Sequence, residues 1–181
     1  QTIPFVDSPE KVAAVIERSR PGTSSHRLRA LRRVLEVLPR DELFQSDMAT
    51  LYDTAMRIFL IQERRKIRLF IRTDRRNRFV SCLVYWPRDI YRTELRQKIE
   101  ALLRDALGAE ESEFTTFFSE SVLVRTYFVM RLGEHARTDY DAEELEALIV
   151  RIAQQWQDQL GTALVDEFGE EDGARRLALY A

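Results

Sequence analysis

The 181-residue chain is 45% apolar and 32% charged, which excludes an intrinsically disordered chain and gives a domain enough buried surface to do without a disulfide or metal staple. Its 28 Lys and Arg against 30 Asp and Glu leave a formal net charge of −2, so no overall pull toward nucleic acid or an anionic membrane is expected. No apolar run approaches the length of a membrane span, and the single cysteine, Cys82, has no partner for an intrachain disulfide, which fits a reducing compartment.

Position 1 is Gln rather than Met, from which a piece of a longer protein is expected. Gln1 to Asp7 lacks the basic and apolar regions of a secretory signal. Ser8-Pro9-Glu10 predicts a helix start, with a hydroxyl at the N-cap, Pro at the first helical position and an acid in the first turn. Val12, Val15 and Ile16 form its apolar face, and Pro21-Gly22 ends it. Ser24 or Ser25 caps a second helix, in which Leu28, Leu31, Leu35 and Leu38 share a stripe opposite arginines; Pro39 closes it. A third helix is predicted from about Asp47 to Arg64, burying Leu51, Ala55, Ile58, Phe59 and Ile61.

The apolar period then changes from 3.6 to 2. Lys66 to Arg72 alternates, with Ile67, Leu69 and Ile71 on one face, and the polar segment Thr73 to Arg78 has hairpin length. Phe79 to Trp86 is apolar on both faces and reads as a central strand. Pro87-Arg88-Asp89 opens a helix whose buried stripe is Leu95, Ile99, Leu102, Leu103 and Leu107, with Gly108 as its stop. Strands at Glu113 to Ser119 and Val122 to Leu132 are joined by a turn short enough to require antiparallel pairing. A long helix from Asp141 to about Leu160 carries Leu145, Leu148, Ile149, Ile152 and Trp156 on one side, and a short helix from Asp172 to Tyr180 follows.

The central order ββαββα is a permutation of the ferredoxin-like βαββαβ unit, with the missing last strand supplied at the beginning. The fold class is therefore α+β: a four-stranded antiparallel sheet in the spatial order 66–72, 79–86, 122–132, 113–119. Two helices lie on one face, a right-handed crossover joins the second and third strands, and further helices flank the unit at both ends. The chain divides into a helical segment (1–62), the ferredoxin-like domain (63–160) and a helical extension (161–181). Cys82, Val84, Leu95, Ile99, Leu102, Phe128 and Leu145 are its expected core.

Catalytic patterns are scarce. The six glycines, at 22, 108, 133, 161, 169 and 173, form no phosphate-cradling loop between a strand and a helix. His26 and His135 stand alone and read as solvated rather than metal-bound; Cys82 has no neighbouring base in sequence. The basic run from Arg64 to Arg78 either protects an edge strand from aggregation or holds an acidic partner or phosphate. Arg78 to Tyr85 faintly echoes an RNA-recognition strand but lacks the glycines that let bases approach. Ser119-Glu120-Ser121 is either a simple turn or an exposed contact for a ligand or subunit. Pro87, Arg88 and Asp89 lie where a strand passes into a helix. There Asp89 is expected to cap the helix or meet an amino group, and Arg88 to grip a carboxylate with its planar fork.

Several segments in one order carry a family resemblance: Pro39 to Gln45 (PRDELFQ), Gln62 to Arg65 (QERR), Phe79 to Tyr85 (FVSCLVY), Pro87 to Asp89 (PRD), Thr93 to Arg96 (TELR) and Phe117 to Leu123 (FFSESVL). Together they resemble the large bacterial NAD-specific glutamate dehydrogenases in the region N-terminal to the catalytic part, which carries ACT-like domains. The resemblance covers about Ser25 to Leu132 closely and the C-terminal helices more loosely. It implies a cytoplasmic, oligomeric enzyme that oxidatively deaminates glutamate to 2-oxoglutarate and ammonium with NAD. The glutamate and NAD sites would lie downstream, so no catalytic residue, cofactor or metal is expected within these residues. The implied partners are other domains and subunits of the same dehydrogenase, or an amino-acid effector, with no nucleic acid and no membrane. ACT domains commonly pair through their sheets and often bind amino acids at the first strand–helix loop. That loop corresponds to Pro87, Arg88 and Asp89, with Ser119, Glu120 and Ser121 as the second candidate. Three readings follow: an architectural or regulatory module, an amino-acid sensor, and an RNA-binding ferredoxin-like domain.

Overall fold

The change of apolar period after residue 64 coincides with a boundary between two units, Gln1–Arg64 and Arg65–Ala181. They are seen in a computed structural model that describes residues 8–19, 24–61, 64–119, 121–134, 136–137 and 139–180. The first unit contains α1 (Ser8–Ser19), α2 (Ser25–Glu36), α3 (Arg40–Gln45) and α4 (Met48–Ile61). Leu31, Val34 and Leu35 of α2 and Leu51, Ala55 and Ile58 of α4 are buried, and α2 packs against both α1 and α4. Helix starts follow short polar side chains. Ser24 Oγ accepts from Arg27 N–H, and both Asp47 carboxylate oxygens accept from Thr50, one from its N–H and one from its hydroxyl, each at 2.9 Å. Lys11 of α1 donates to the carbonyls of Leu43, Phe44 and Ser46 at 3.0, 2.8 and 2.9 Å, satisfying the C-terminal end of α3.

Two readings of this half are corrected. The six residues of α3 are helical where the sequence suggests only a break after Pro39, because a helix this short shows no periodicity. Pro39 holds its N-cap position, with no side-chain cap. Helix α4 is described over Met48–Ile61, and Arg64, where the sequence places the helix end, is not helical. The Pro21-Gly22 stop lies outside the described residues.

The second unit contains β1 (Arg68–Thr73), β2 (Phe79–Pro87), α5 (Thr93–Leu107), β3 (Ala109–Phe117), β4 (Leu123–Leu132), α6 (Ala142–Phe168) and α7 (Glu170–Tyr180). The strands form one antiparallel sheet in the order β1-β2-β4-β3, as predicted. Register places Cys82 opposite both Ile71 and Phe128, and Val84 opposite Leu69 and Thr126. Period-2 alternation therefore sends Val80, Cys82, Val84 and Trp86 to the same face as Val124, Phe128 and Met130. There they pack with Leu95, Ile99, Leu103 and Leu107 of α5 and Leu145, Ile149 and Ala153 of α6.

The β1–β2 hairpin is closed by Asp74, whose carboxylate accepts from the N–H groups of Arg78, Phe79 and Arg76 at 2.5, 3.0 and 3.3 Å. Gly108, at φ 63°, ends α5 in the left-handed conformation and donates its N–H to Arg104 O. This lets β3 begin at once, at Ala109 rather than Glu113, and end at Phe117 rather than Ser119. On α5, Leu103 takes the fully buried place while Leu102 is only half-buried, because a strict i, i+4 stripe of Leu95, Ile99, Leu103 and Leu107 faces the sheet. Asp141 caps α6 by accepting from Glu143 and Glu144 N–H. Helix α6 then runs unbroken past Leu160 to Phe168.

Candidate functional site

The two segments singled out in the sequence meet at one end of the sheet. Pro87 ends β2 buried and paired with Leu123 of β4. Immediately after it, Arg88 N–H donates to Val122 O at 2.9 Å, and Arg88 Nη1 donates to Ser119 O at 2.9 Å. The β2–α5 turn is thereby tied to the β3–β4 turn. Within the latter, Ser119 Oγ accepts from Ser121 N–H and Ser121 Oγ accepts from Leu123 N–H, so both hydroxyls serve the turn backbone. Glu120 lies outside the described residues.

Asp89 faces another way. Its Oδ2 pairs with Arg65 Nη1 at 3.0 Å, and its Oδ1 accepts from Ile90 N–H at 3.0 Å. It is not the helix cap that the sequence suggests: α5 begins only at Thr93, with Arg92 at the N-cap position and no side-chain cap. The reason is that pairing with β4 extends β2 through Pro87, and a separate turn, with Ile90 N–H on Pro87 O and Tyr91 N–H on Arg88 O, follows before the helix. Arg92 Nη1 closes this turn by donating to Asp89 O and Tyr91 O at 3.1 and 2.6 Å.

Beneath the turn runs a chain of hydroxyls. Trp86 Nε1 donates to Thr126 Oγ1 at 3.2 Å, Thr126 is hydrogen-bonded to Thr116, and Thr116 to the Tyr91 hydroxyl. Tyr91 stacks edge-on to both Trp86 and Phe118. Phe118 is nevertheless 57% exposed, beside the exposed Phe117 and Val122. An apolar surface thus surrounds the Arg88–Ser119 contact.

The sheet's two edges differ. On β1, Glu146 of α6 accepts from Arg68 Nη1 at 2.6 Å and from Leu69 N–H at 2.8 Å, and Thr73 is hydrogen-bonded to Tyr140. One edge is thereby blunted by side chains. On β3, Phe114 is exposed, with the Arg96 guanidinium 3.7 Å from its ring centroid, and no strand lies outside β3 among the described residues. Arg96 is itself buried and pairs with Glu100, which also accepts from Ser112 Oγ at 2.6 Å. Sequence reasoning missed Arg96; the Arg96/Glu100 spacing of four residues was its only signal. On the sheet face away from α5 and α6, the cross-strand partners Tyr85 and Arg125 bury the phenol oxygen and Nε without a hydrogen-bond partner among the described residues. Burial pushes the Tyr85 phenol pKa up, against the opposing effect of the Arg125 charge.

Much of the basic run is engaged locally: Arg65 with Asp89, Arg68 with Glu146, and Arg78 over the Phe79 ring. Among the described residues no cluster of three His, Cys, Asp or Glu could hold a metal, and no helix is long and apolar enough to cross a membrane.

Comparison with known proteins adds two family matches. Residues 68–157 match "Glutamate dehydrogenase, ACT2 domain", and residues 3–64 match "Glutamate dehydrogenase, helical motif 1". Curated relatives called NAD-specific glutamate dehydrogenase include one from Pseudomonas aeruginosa, 46% identical over 176 residues, which covers 97% of this chain and 11% of the relative. The relative from Halomonas elongata is 43% identical over 161 residues, 89% of this chain and 10% of its own length. That from Mycobacterium tuberculosis is 31% identical over 193 aligned positions, 99% of this chain and 12% of its own length. The chain thus spans about a tenth of the length of these relatives.

Proposed function

Because the chain belongs to the NAD-specific glutamate dehydrogenase family, carrying its helical motif 1 and ACT2 domain, we propose that it is a non-catalytic architectural and regulatory module of that enzyme. In this reading glutamate oxidation to 2-oxoglutarate and ammonium, and the binding of NAD, take place in other parts of a cytoplasmic oligomer. The observation that carries the proposal is the asymmetry of the sheet edges. Glu146 covers β1, whereas among the described residues no strand lies outside β3, where Arg104 donates to Glu110 O and Phe114, Phe117 and Phe118 are exposed. A free strand edge beside apolar side chains suits addition of another strand, where main-chain hydrogen bonds give affinity and side chains give register. The partner proposed is β3 of a second copy, packed antiparallel.

Engagement of Arg88 with Ser119 supports this over an amino-acid sensor at the Pro87–Asp89 turn, because one arm of the guanidinium already serves the fold. Analytical ultracentrifugation of the 181-residue chain tests the proposal. A reversible dimer is expected, weakened by Phe114→Pro, which removes an N–H that points out of the sheet rather than toward β4, and by Phe117→Asp. A chain that stays monomeric at the highest attainable concentration, or a dimer indifferent to both changes, would overturn it.

A further inference from the structure

A cleft of about 510 Å³ opens between the approach to β1, the turn after β2 and the middle of α6, well away from the β3 edge. Its size lies within the range of small-molecule sites. Ile67 and Ala153, both buried, contribute an apolar floor. The polar rim is built from Arg65 and Lys66 on one side, Asp89 on the turn, and Gln154 and Gln157 on α6. The two glutamines are three residues apart, so both sit on the same face of the helix.

Charge pairing decides what such a cleft can take. Arg68 is paired with Glu146, and Arg65 with Asp89. Lys66 is exposed and has no counter-ion among the described residues. Among the described residues Asp89 is the only carboxylate on the wall, and both its oxygens are engaged, one by Arg65 and one by Ile90 N–H. An ammonium group entering the cleft would therefore have to displace Arg65 from Asp89. A carboxylate would meet the unpaired Lys66 and the exposed side of Arg65, and two amide N–H₂ groups across the floor remain for a second carboxylate.

We propose that this cleft binds a small aliphatic dicarboxylate, one carboxylate on Lys66 and Arg65, the other on Gln154 and Gln157, with the methylenes over Ile67 and Ala153. Such a ligand bridges β1 to α6 across the same junction that Glu146 closes, so its occupancy stiffens the blunted edge of the sheet. Two ammonium-free carboxylates distinguish this class from a zwitterionic amino acid.

Calorimetric titration of the 181-residue chain with glutarate, glutamate and inorganic phosphate tests this, since glutarate and glutamate differ only in the amino group. Glutarate is expected to bind more tightly than glutamate or phosphate. Lys66→Glu should weaken glutarate by about tenfold or more, the scale of one charge-assisted contact. Asp89→Asn, which releases Arg65, should tighten it. Gln157→Ala should weaken glutarate but leave the monocarboxylate butyrate unchanged. Lys66 and Gln157 are not in the core, so circular dichroism melts of these variants should match the parent chain and keep the test independent of folding. Preference for glutamate together with its loss in Asp89→Asn would instead mark an amino-acid site and overturn the proposal. Phosphate binding as tight as glutarate would overturn the carboxylate class, and the absence of heat with any dicarboxylate would overturn the site itself.

Discussion

The Arg88 guanidinium donates to the carbonyl of Ser119 at 2.9 Å, across 31 residues of sequence, and this bond joins the turn that leaves β2 to the turn that enters β4. Arg88 N–H on Val122 O adds a backbone bond to the same junction. Because both side chains are exposed, loss of the guanidinium in Arg88→Ala should cost only about 0.5–1.5 kcal/mol. Its larger effect should be local: faster amide hydrogen exchange over residues 117–122, and weaker self-association as Phe118 and Val122 lose their fixed setting. Unchanged exchange there would mean that the backbone bond alone holds the turns together.

The α5 stripe makes a prediction of position rather than of composition. Leu103→Ala and Ile99→Ala, both fully buried, should each cost about 2–5 kcal/mol in urea unfolding, whereas the half-buried neighbour Leu102→Ala should cost distinctly less. Cys82 has 0% exposure at the centre of the same cluster. Its labelling by a thiol reagent should therefore occur only through opening of the sheet, and should slow as stability rises. Rapid labelling under native conditions would contradict the buried placement of that strand face.

These residues also show what the sequence made legible and what it did not. Strand order was readable because alternation at Lys66 to Arg72, the doubly apolar run from Phe79 and the short turns each restrict pairing locally. Leu102 against Leu103 was not, since adjacent leucines on a helix differ only by the direction of the facing sheet. The N-terminal residues of β3 escaped notice because Glu110, Glu111 and Glu113 mask the alternation of an edge strand with a solvated side. Asp89 carried a local cap signature that the non-local pairing of Pro87 with Leu123 overrode. The Arg65–Asp89 pair and the cleft it borders join residues from three elements, and no short-range pattern encodes them.

Absence of a phosphate-cradling glycine loop makes a direct prediction for the cofactor. The 181-residue chain should show no low-micromolar affinity for NAD in a fluorescence or calorimetric titration, and no dehydrogenase activity with glutamate. Gly108 ends α5, Gly169 follows α6, and Gly173 packs against α6. A dissociation constant in the low micromolar range would sink the non-catalytic reading.

Two carboxylates should set part of the acid stability. Hydrogen bonds from the Thr50 N–H and hydroxyl hold the Asp47 pKa below its ordinary value of 3.8. For Asp74, a desolvation effect that raises the pKa is outweighed by backbone N–H donors from Phe79, Arg78 and Arg76, so it too is lowered. A pKa depressed on folding contributes stability that is fully present above the unfolded value and is lost as pH falls through the folded one. Denaturant stability measured downward from pH 5 should therefore fall below about pH 3.8, the unfolded value. Asp47→Asn and Asp74→Asn should each flatten that limb while lowering stability modestly at neutral pH. An acid limb of unchanged steepness in both variants would show that neither carboxylate contributes to it.

Gly173 gives the sharpest test of the C-terminal helices, because two opposing effects meet there. In an isolated helix, Gly to Ala is stabilising by about 1 kcal/mol, since glycine has more backbone entropy to lose. At this position, however, an added Cβ would lie 2.7 Å from Val165 Cα and 2.8 Å from Leu164 O of α6. Both are backbone atoms of a neighbouring helix and cannot yield by a side-chain rotation. Overpacking of this kind typically costs about 1–3 kcal/mol, so the contact should outweigh the propensity. Gly173→Ala should push α7 away from α6, while the sheet core under Leu145 and Ile149, earlier in α6, is untouched. Limited proteolysis should then cleave within 169–180 faster than in the parent chain, with protection of the β2 and β4 amides unchanged. Increased resistance to cleavage would mean that α7 relaxes enough for helix propensity to dominate, and that the close approach at Val165 is not required for docking.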